Sequence, residues 1–425
     1  MKKNQGFTLI ELLAVVVILA VIALISVPLI MNVIDGARKG ALQNTAYGIA
    51  EAGKYAFTNE VIKDGSAIFT AYTYVNGVET SSPTGKSLNY KGERPQKGTI
   101  LINSKGDIAM SVYNGKYCAE KGFDDVEVTV SEKVEADCVL VEALTEVEVL
   151  IVAGGGGGGN DYGGGGGAGG VIYNSSYLVT PGTSYPVTIG AGGAGAPTVR
   201  SALAGGTSGQ NSIFATLTAN GGGGGGGSNS TGANGKSGGS GGGGSGLLSP
   251  GALGGAGTSG QGNNGGTGGT TPDYQGGGGG GAGQTGTNGT SPSTNAKGGD
   301  GLQFSISGTS KYYGGGGGAG SGLPAASVLY GEGGLGGGGR GATHTLPAEL
   351  GQPNTGGGGG GANRYEASSG HAASSIGPGG SGGSGVVIVR YFGPQRANGG
   401  AITTVDGYTI HTFTSGTATF TPSDL

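Results

Sequence analysis

The chain has 425 residues, of which 107 are glycine and only 11% are charged, with a net charge of −4, two cysteines and no tryptophan. A globular chain usually carries about a quarter charged residues, and a weakly acidic balance disfavours a nucleic-acid partner, whose binding depends on neutralising phosphates. The three histidines, His344, His371 and His411, stand without a nucleophile or carboxylate at motif spacing, so the chain is expected to be a non-enzyme with no cofactor and no metal.

The first element is a short leader with Lys2 and Lys3, then Gly6-Phe7-Thr8-Leu9-Ile10-Glu11, then an almost unbroken apolar run over 12–34. That run exceeds the ~20 residues a helix needs to cross a bilayer, and the two lysines place the N-terminus in the cytoplasm. No Ala-x-Ala site follows it, so the segment is expected to stay with the protein as a single-pass membrane helix. Glu11 is the unusual residue, because a carboxylate at the edge of hydrocarbon is costly and needs a partner.

Together these residues resemble the type IV prepilin signal. The resemblance implies cleavage between Gly6 and Phe7 by a prepilin peptidase, N-methylation of Phe7, and a Glu11 that faces the N-terminal amine of a neighbouring subunit during assembly. Pro28 sits where many pilins place a kinking proline. Apolar residues continue at helical spacing through Leu42, Ala46, Ile49, Ala50 and Phe57 to about Lys63, and the period then changes to two. Strands are expected from about 67, turning at Asn76-Gly77, and at 98–103, 108–113, 126–130 and 139–142. Ser104-Lys105-Gly106 and Asn114-Gly115 supply tight turns. A helix on a small antiparallel sheet is what the pilin family implies for the head.

Cys118 and Cys138 lie in this exported region. They are either bridged, closing a loop of about twenty residues worth about 3 kcal/mol, or two buried thiols. The carboxylates Asp124, Asp125, Glu127, Glu132, Glu135 and Asp137 lack calcium-loop spacing and read as a solvated face.

Near Ala153 the composition changes. Glycine runs recur at 154–159, 163–167, 221–227, 276–281, 314–318 and 356–361. A flexible linker is the simple reading of such composition, but three features oppose it. The strands VEVLIV at 147–152 and VVIVRY at 386–391 bracket the region and need partners. The pieces GGVIY, YPVTIG, NSIFATLTANGG and LQFSISG supply apolar anchors. The runs are also of similar length, about 19 Å each as extended three-fold helices.

Rods of polyglycine II packed side by side would satisfy their backbone groups between neighbours. On these residues the segment 148–391 resembles the glycine-rich domain of bacteriophage tail-tip adhesins. There, packed polyglycine rods carry variable end loops that contact a receptor. The resemblance nominates Tyr162, Tyr274, Tyr330, His344, Arg364, Tyr365 and His371 as receptor contacts. That family's leading Gly-Tyr-x-Ile-His-x-Phe element stands here after the glycine region, at 407–413. It is either a permuted strand of the same sheet or the start of a second copy.

Nucleotide and calcium motifs fail on residues: Ser230 and Thr80 replace a phosphate-loop glycine, and Gln303 replaces the aspartate of a calcium repeat. From 151 onward eight basic residues balance eight acidic ones, which again disfavours nucleic acid.

The expected fold class is α+β: a leader at 1–6, a transmembrane and pilin helix at 7–63, a β head at 64–146, a polyglycine II domain at 147–392 and a C-terminal β segment at 393–425. The expected role is a minor or tip pilin-like subunit. It would leave the cytoplasmic membrane for a surface filament of pilin subunits and present its glycine-rich domain to an unknown cell-surface receptor. The alternative is a pseudopilin of a secretion or DNA-uptake machine, with the glycine region as a spacer.

Overall fold

The structure, a computed structural model, describes residues 9–64, 70–81, 87–103, 105–140, 145–198, 205–227, 233–246, 251–270, 275–289, 296–320, 330–343, 346–363 and 377–423. The chain is α+β and divides into two compact units, Met1–Glu142 and Ala143–Leu425.

The first unit is built on one helix, α1 (Leu9–Asp64), with Pro28 inside it. Its first half is apolar all round and exposed, from Leu9 (84%) to Ile34 (41%), and it is long and apolar enough to cross a membrane. A helix without a polar face has no place to stop in water, so this half needs lipid or other apolar helices around it. The second half is amphipathic. Leu42, Ala46, Ile49 and Ala50 are buried against Tyr72, Ile100, Ile102, Ile108, Met110 and Tyr117.

Those partners lie on an antiparallel sheet in the order β2-β1-β3-β4-β5-β6. The strands are β1 (Thr70–Val75), β2 (Val78–Ser81), β3 (Lys97–Ile102), β4 (Ile108–Tyr113), β5 (Tyr117–Lys121) and β6 (Thr129–Glu132). Asn76 and Gly77 turn β1 into β2 with positive φ at both, the two-residue hairpin geometry.

Two strand expectations need correction. The strand expected at 126–130 begins only at Thr129, because the backbone of Val128 is already engaged by α1. Gln43 donates to its oxygen (2.9 Å) and its N–H donates to the Tyr47 hydroxyl (3.2 Å). Of the strand expected at 139–142, Val139 and Leu140 are not in a strand, and 141–142 lie outside the described residues. Cys118 and Cys138 are joined by a disulfide with Cα atoms 5.6 Å apart, buried beside Tyr113.

The second unit combines a β sandwich with a bundle of glycine rods. Strands β7 (Glu146–Val152) and β14 (Val386–Phe392), which bracket the glycine region in sequence, pair antiparallel with Ile151 opposite Val387 and Val149 opposite Val389. With β8 (Val171–Leu178), β16 (Ala401–Val405) and β17 (Tyr408–Phe413) they form a sheet in the order β16-β17-β14-β7-β8. The displaced 407–413 element is therefore a strand of the same sheet, with Phe413 opposite Val387.

A second sheet has the order β11-β10-β9-β18-β15, from β9 (Tyr185–Thr188), β10 (Ser212–Phe214), β11 (Leu217–Ala219), β15 (Ala397–Asn398) and β18 (Thr417–Pro422). Alternation along β7 and β14 divides the core. Val147, Val149, Ile151, Val387 and Val389 pack with Val187, Phe214 and Phe420 of the second sheet. Leu150, Val152, Val386 and Ile388 face the other way, toward Ile306 and Tyr313. Tyr313 belongs to the hairpin β12 (Leu302–Phe304) and β13 (Lys311–Tyr313).

The rods continue directly from these strands. In 154–159, successive amides donate to Gln210, Gly383 and Gly167, and then to Thr207, Gly380 and Gly164. Each neighbour is therefore met again three residues later, the signature of a three-fold extended helix. The carbonyls of Gly154, Gly155 and Gly156 accept from Gly222, Gly193 and Gly359. Three neighbours receive its amides and three donate to its carbonyls, so this rod is surrounded on all sides.

The same enclosure holds for 163–170, 240–246, 275–281, 314–320 and 356–362. A Cβ on Gly156 would lie deep inside contact with the Gly223 carbonyl, and a Cβ on Gly166 would do the same with the Gly156 carbonyl. Only glycine lets rods approach to hydrogen-bonding distance from every direction. At about 1 kcal/mol net per hydrogen bond against about 1–2 kcal/mol per ordered residue, the lattice does not hold itself. The apolar sandwich from which the rods emerge supplies the remainder.

Candidate functional site

Two regions bear on function, one in each unit. In the first unit, Gly6 and Phe7 lie outside the described residues, and Glu11 occupies the first turn of α1 on its exposed apolar half. The helix N-terminus favours a carboxylate there, since its unpaired amides carry partial positive charge.

In the second unit the rods run to and fro between two distinct ends, as the pairing of Gly156 with Gly167 and Gly159 with Gly164 shows. The strands of the sandwich meet the rods at one end, where Ala153 donates to Gly170 and Gly385 donates to Gly190. At the other end Gly320 donates to Gly163, Gly276 to Gly320, Gly246 to Tyr162 and Ala362 to Gly159. The described rod ends at Pro197, Gly246, Gln275, Gly320, Thr343 and Asn363 lie at this distal end. The rod order thus brings segments far apart in sequence to one face.

The sequence-nominated contacts distribute as follows. Tyr274, His344, Arg364, Tyr365 and His371 lie outside the described residues; the first three directly adjoin the distal rod positions Gln275, Thr343 and Asn363. Tyr162 is described and only 5% exposed, so its ring is withdrawn from solvent rather than presented. It belongs to the three-residue reversal Asn160-Asp161-Tyr162 between two interior rods, with Asp161 and Tyr162 both at positive φ. An aspartate tolerates that conformation, whereas for a tyrosine it is uncommon and shows that the reversal is dictated by its surroundings. Tyr330 is half-buried beneath the Arg340 guanidinium, 5.0 Å from the ring centroid, and Arg340 also pairs with Glu349 at 3.2 Å.

Sequence reasoning missed the outer faces of the peripheral rods. There every third residue is not glycine and points outward: Ala191, Ala194 and Pro197 on one rod, and Pro378, Ser381 and Ser384 on another. Lys297 and Asp300 form a 3.0 Å ion pair along one rod by the same spacing. A local Gly-Gly-x period, as in 378–384, was the available signal.

Among the described residues no group of three or more His, Cys, Asp or Glu could hold a metal ion. One fully enclosed titratable group lies in the sandwich. His411 is fully buried; its Nδ1–H donates to Gly399 O at 2.7 Å, which leaves Nε2 to accept from the Tyr391 hydroxyl at 3.1 Å. Burial holds its pKa below the ordinary histidine value. With both ring nitrogens engaged this histidine is a strut.

Sequence comparison agrees with both regions. The family model described as a glycine-rich domain matches residues 132–392, and the one described as the prokaryotic N-terminal methylation motif matches residues 1–27. No curated protein matches the chain, and no solved structure does.

Proposed function

The chain belongs to the glycine-rich domain family and carries a prokaryotic N-terminal methylation motif, a type IV pilin-like signal; from that premise we propose that it is a minor or tip subunit of a surface filament that displays its glycine-rich unit as an adhesin. Processing by a prepilin peptidase and assembly with other pilins in the membrane follow from the motif.

The display is supported by the unlike ends of the glycine bundle, one joined to the β sandwich and one free of it. The bundle brings many rod ends that are distant in sequence to the end away from its β sandwich, and connections on rigid scaffolds are where recognition commonly resides. The role is non-catalytic. A bulky second unit of 143–425 favours a minor or terminal position over a place in a close-packed shaft.

The test is a chain truncated after Glu142, produced in cells lacking the full-length protein. The reading expects leader cleavage and filament incorporation to persist while adherence is lost. Retained adherence would overturn the adhesin role. Failure to cleave a Gly6→Val variant, with normal cleavage of the parent, is expected in the same cells.

A further inference from the structure

One flank of the head is a cleft of about 820 Å³ between α1 and residues 91–95, with Arg38, Thr45, Lys91, Glu93, Lys116 and Tyr117 in its lining. Lys116 is held by Asp35 at 3.0 Å. Arg38 and Lys91 are exposed and have no carboxylate within salt-bridge distance among the described residues. The cleft therefore presents Arg38 and Lys91, neither in an ion pair, with Glu93 as the one carboxylate of its lining and Asp35 close enough to Arg38 to feel its charge.

The opposite flank carries its complement. The 122–127 segment projects Asp124, Asp125, Val126 and Glu127 into solvent, with Val126 at 89% exposure. No cation pairs with Asp124, Asp125 or Glu127 among the described residues, whereas Glu120 and Glu132 nearby do find lysines. An exposed apolar tip between carboxylates that no cation neutralises suits a basic pocket, and the Gly122 N–H, which donates to the Asp125 carboxylate at 2.7 Å, fixes the turn that presents it.

Helical geometry sets the two features against each other. At 3.6 residues per turn, Arg38, Ala41, Thr45 and Gly48 on the cleft side lie about 160° around α1 from Gln43 and Tyr47, which hold Val128 at the base of the acidic segment. Both sets fall within the same turns of the helix, so cleft and knob stand at the same height on opposite flanks. They cannot meet within one chain.

We propose that the cleft flanked by Arg38 and Lys91 receives the acidic 122–127 segment of a second copy of this chain, so that copies stand side by side in the filament. The inference rests on the filament reading above and names the partner within it. A membrane helix inserts every copy in the same orientation, and a contact between two different faces of parallel copies is heterologous. Such a contact does not close on a two-fold axis, and it propagates as an open helix unless rotation closes it into a ring. In a minor position it produces a run of consecutive copies, the last of which offers one unused face to other pilins.

The test uses the full-length chain in cells. Reversing the knob (Asp124→Lys with Glu127→Lys) or the cleft (Arg38→Glu with Lys91→Glu) should each lower recovery in sheared filaments by about tenfold or more, since like charges are then opposed. Combining all four reversals should restore it, because the two faces match again. A photocrosslinker at Val126 should capture residues 38–48 or 91–95 of another copy. Leader cleavage and formation of the Cys118–Cys138 disulfide report that each variant folds.

Reversed variants that incorporate normally, a fourfold variant that folds without rescue, or crosslinks only to a different protein would overturn the contact while leaving the filament reading in place. Absence of the unsubstituted chain from filaments would overturn both.

Discussion

Replacing Gly156 by alanine tests whether the glycine runs are packed rods. Gly156 sits mid-rod with neighbours on all sides, and an added Cβ would meet the Gly223 carbonyl, which would have to retreat by about 1 Å to reach ordinary contact. Gly223 cannot retreat alone, because its own amide donates to Ser240 and its carbonyl accepts from Gly167, both at 2.8 Å.

Opening that gap weakens two or three inter-rod bonds at about 1 kcal/mol each and adds an overpacking cost of about 1–3 kcal/mol. The expected loss is about 3–5 kcal/mol, a large share of an ordinary domain's 5–15 kcal/mol. The control is Ala194→Val on an outward-facing rod position, which should fall within about 0.5 kcal/mol of the parent. Denaturant unfolding of the second unit, followed by tyrosine fluorescence and amide exchange, gives both values. Equal stability of Gly156→Ala and the parent would refute the lattice, because an extended linker loses nothing on gaining a methyl group.

Further outcomes are expected. Cys118→Ser with Cys138→Ser should destabilise the head by about 3 kcal/mol, from the loop closed by a separation of 20 residues, read as earlier trypsin cleavage within residues 70–140. Glu148→Gln should cost about 2–4 kcal/mol by thermal unfolding; it strips the carboxylate that pairs with Arg390 at 2.7 Å and accepts from Tyr173 at 2.8 Å, leaving a largely buried guanidinium.

The pH dependence follows from His411, whose pKa burial lowers from 6.5. The unfolded chain takes up this proton first, so its contribution is complete above about 6.5 and erodes as pH falls through that value toward the folded one. His411→Gln should flatten this part of the stability profile; an unchanged slope would show that the histidine does not report on folding.

Much of the architecture was legible because the local signals agreed. The apolar run and Glu11, the Leu42-to-Phe57 periodicity and the NG turn at 76–77 each point one way, and the structure places a helix and a hairpin there. The bracketing strands, read at 147–152 and 386–391, were legible for a different reason, that two-sided apolar strands need partners; that the partner of each is the other is known from the structure.

β5 was not legible, since Tyr117, Cys118 and Ala119 are all buried and the alternation that marks a half-exposed strand is missing. The partner of 408–413 was also hidden, because strand order is a long-range choice that local pattern does not encode. At the distal end, sequence could nominate Tyr162 as a loop aromatic, but its burial depends on which rod ends surround it.

The most direct test of the account is where the glycine-rich unit resides on the cell. Immunogold labelling with an antibody against residues 143–425, applied to intact cells and to sheared filaments, should place label at filament ends or in short, infrequent runs along them, with the leader removed from the labelled protein. Label confined to the envelope, with filaments bare, would contradict display and leave the glycine bundle as a spacer within a membrane-bound machine.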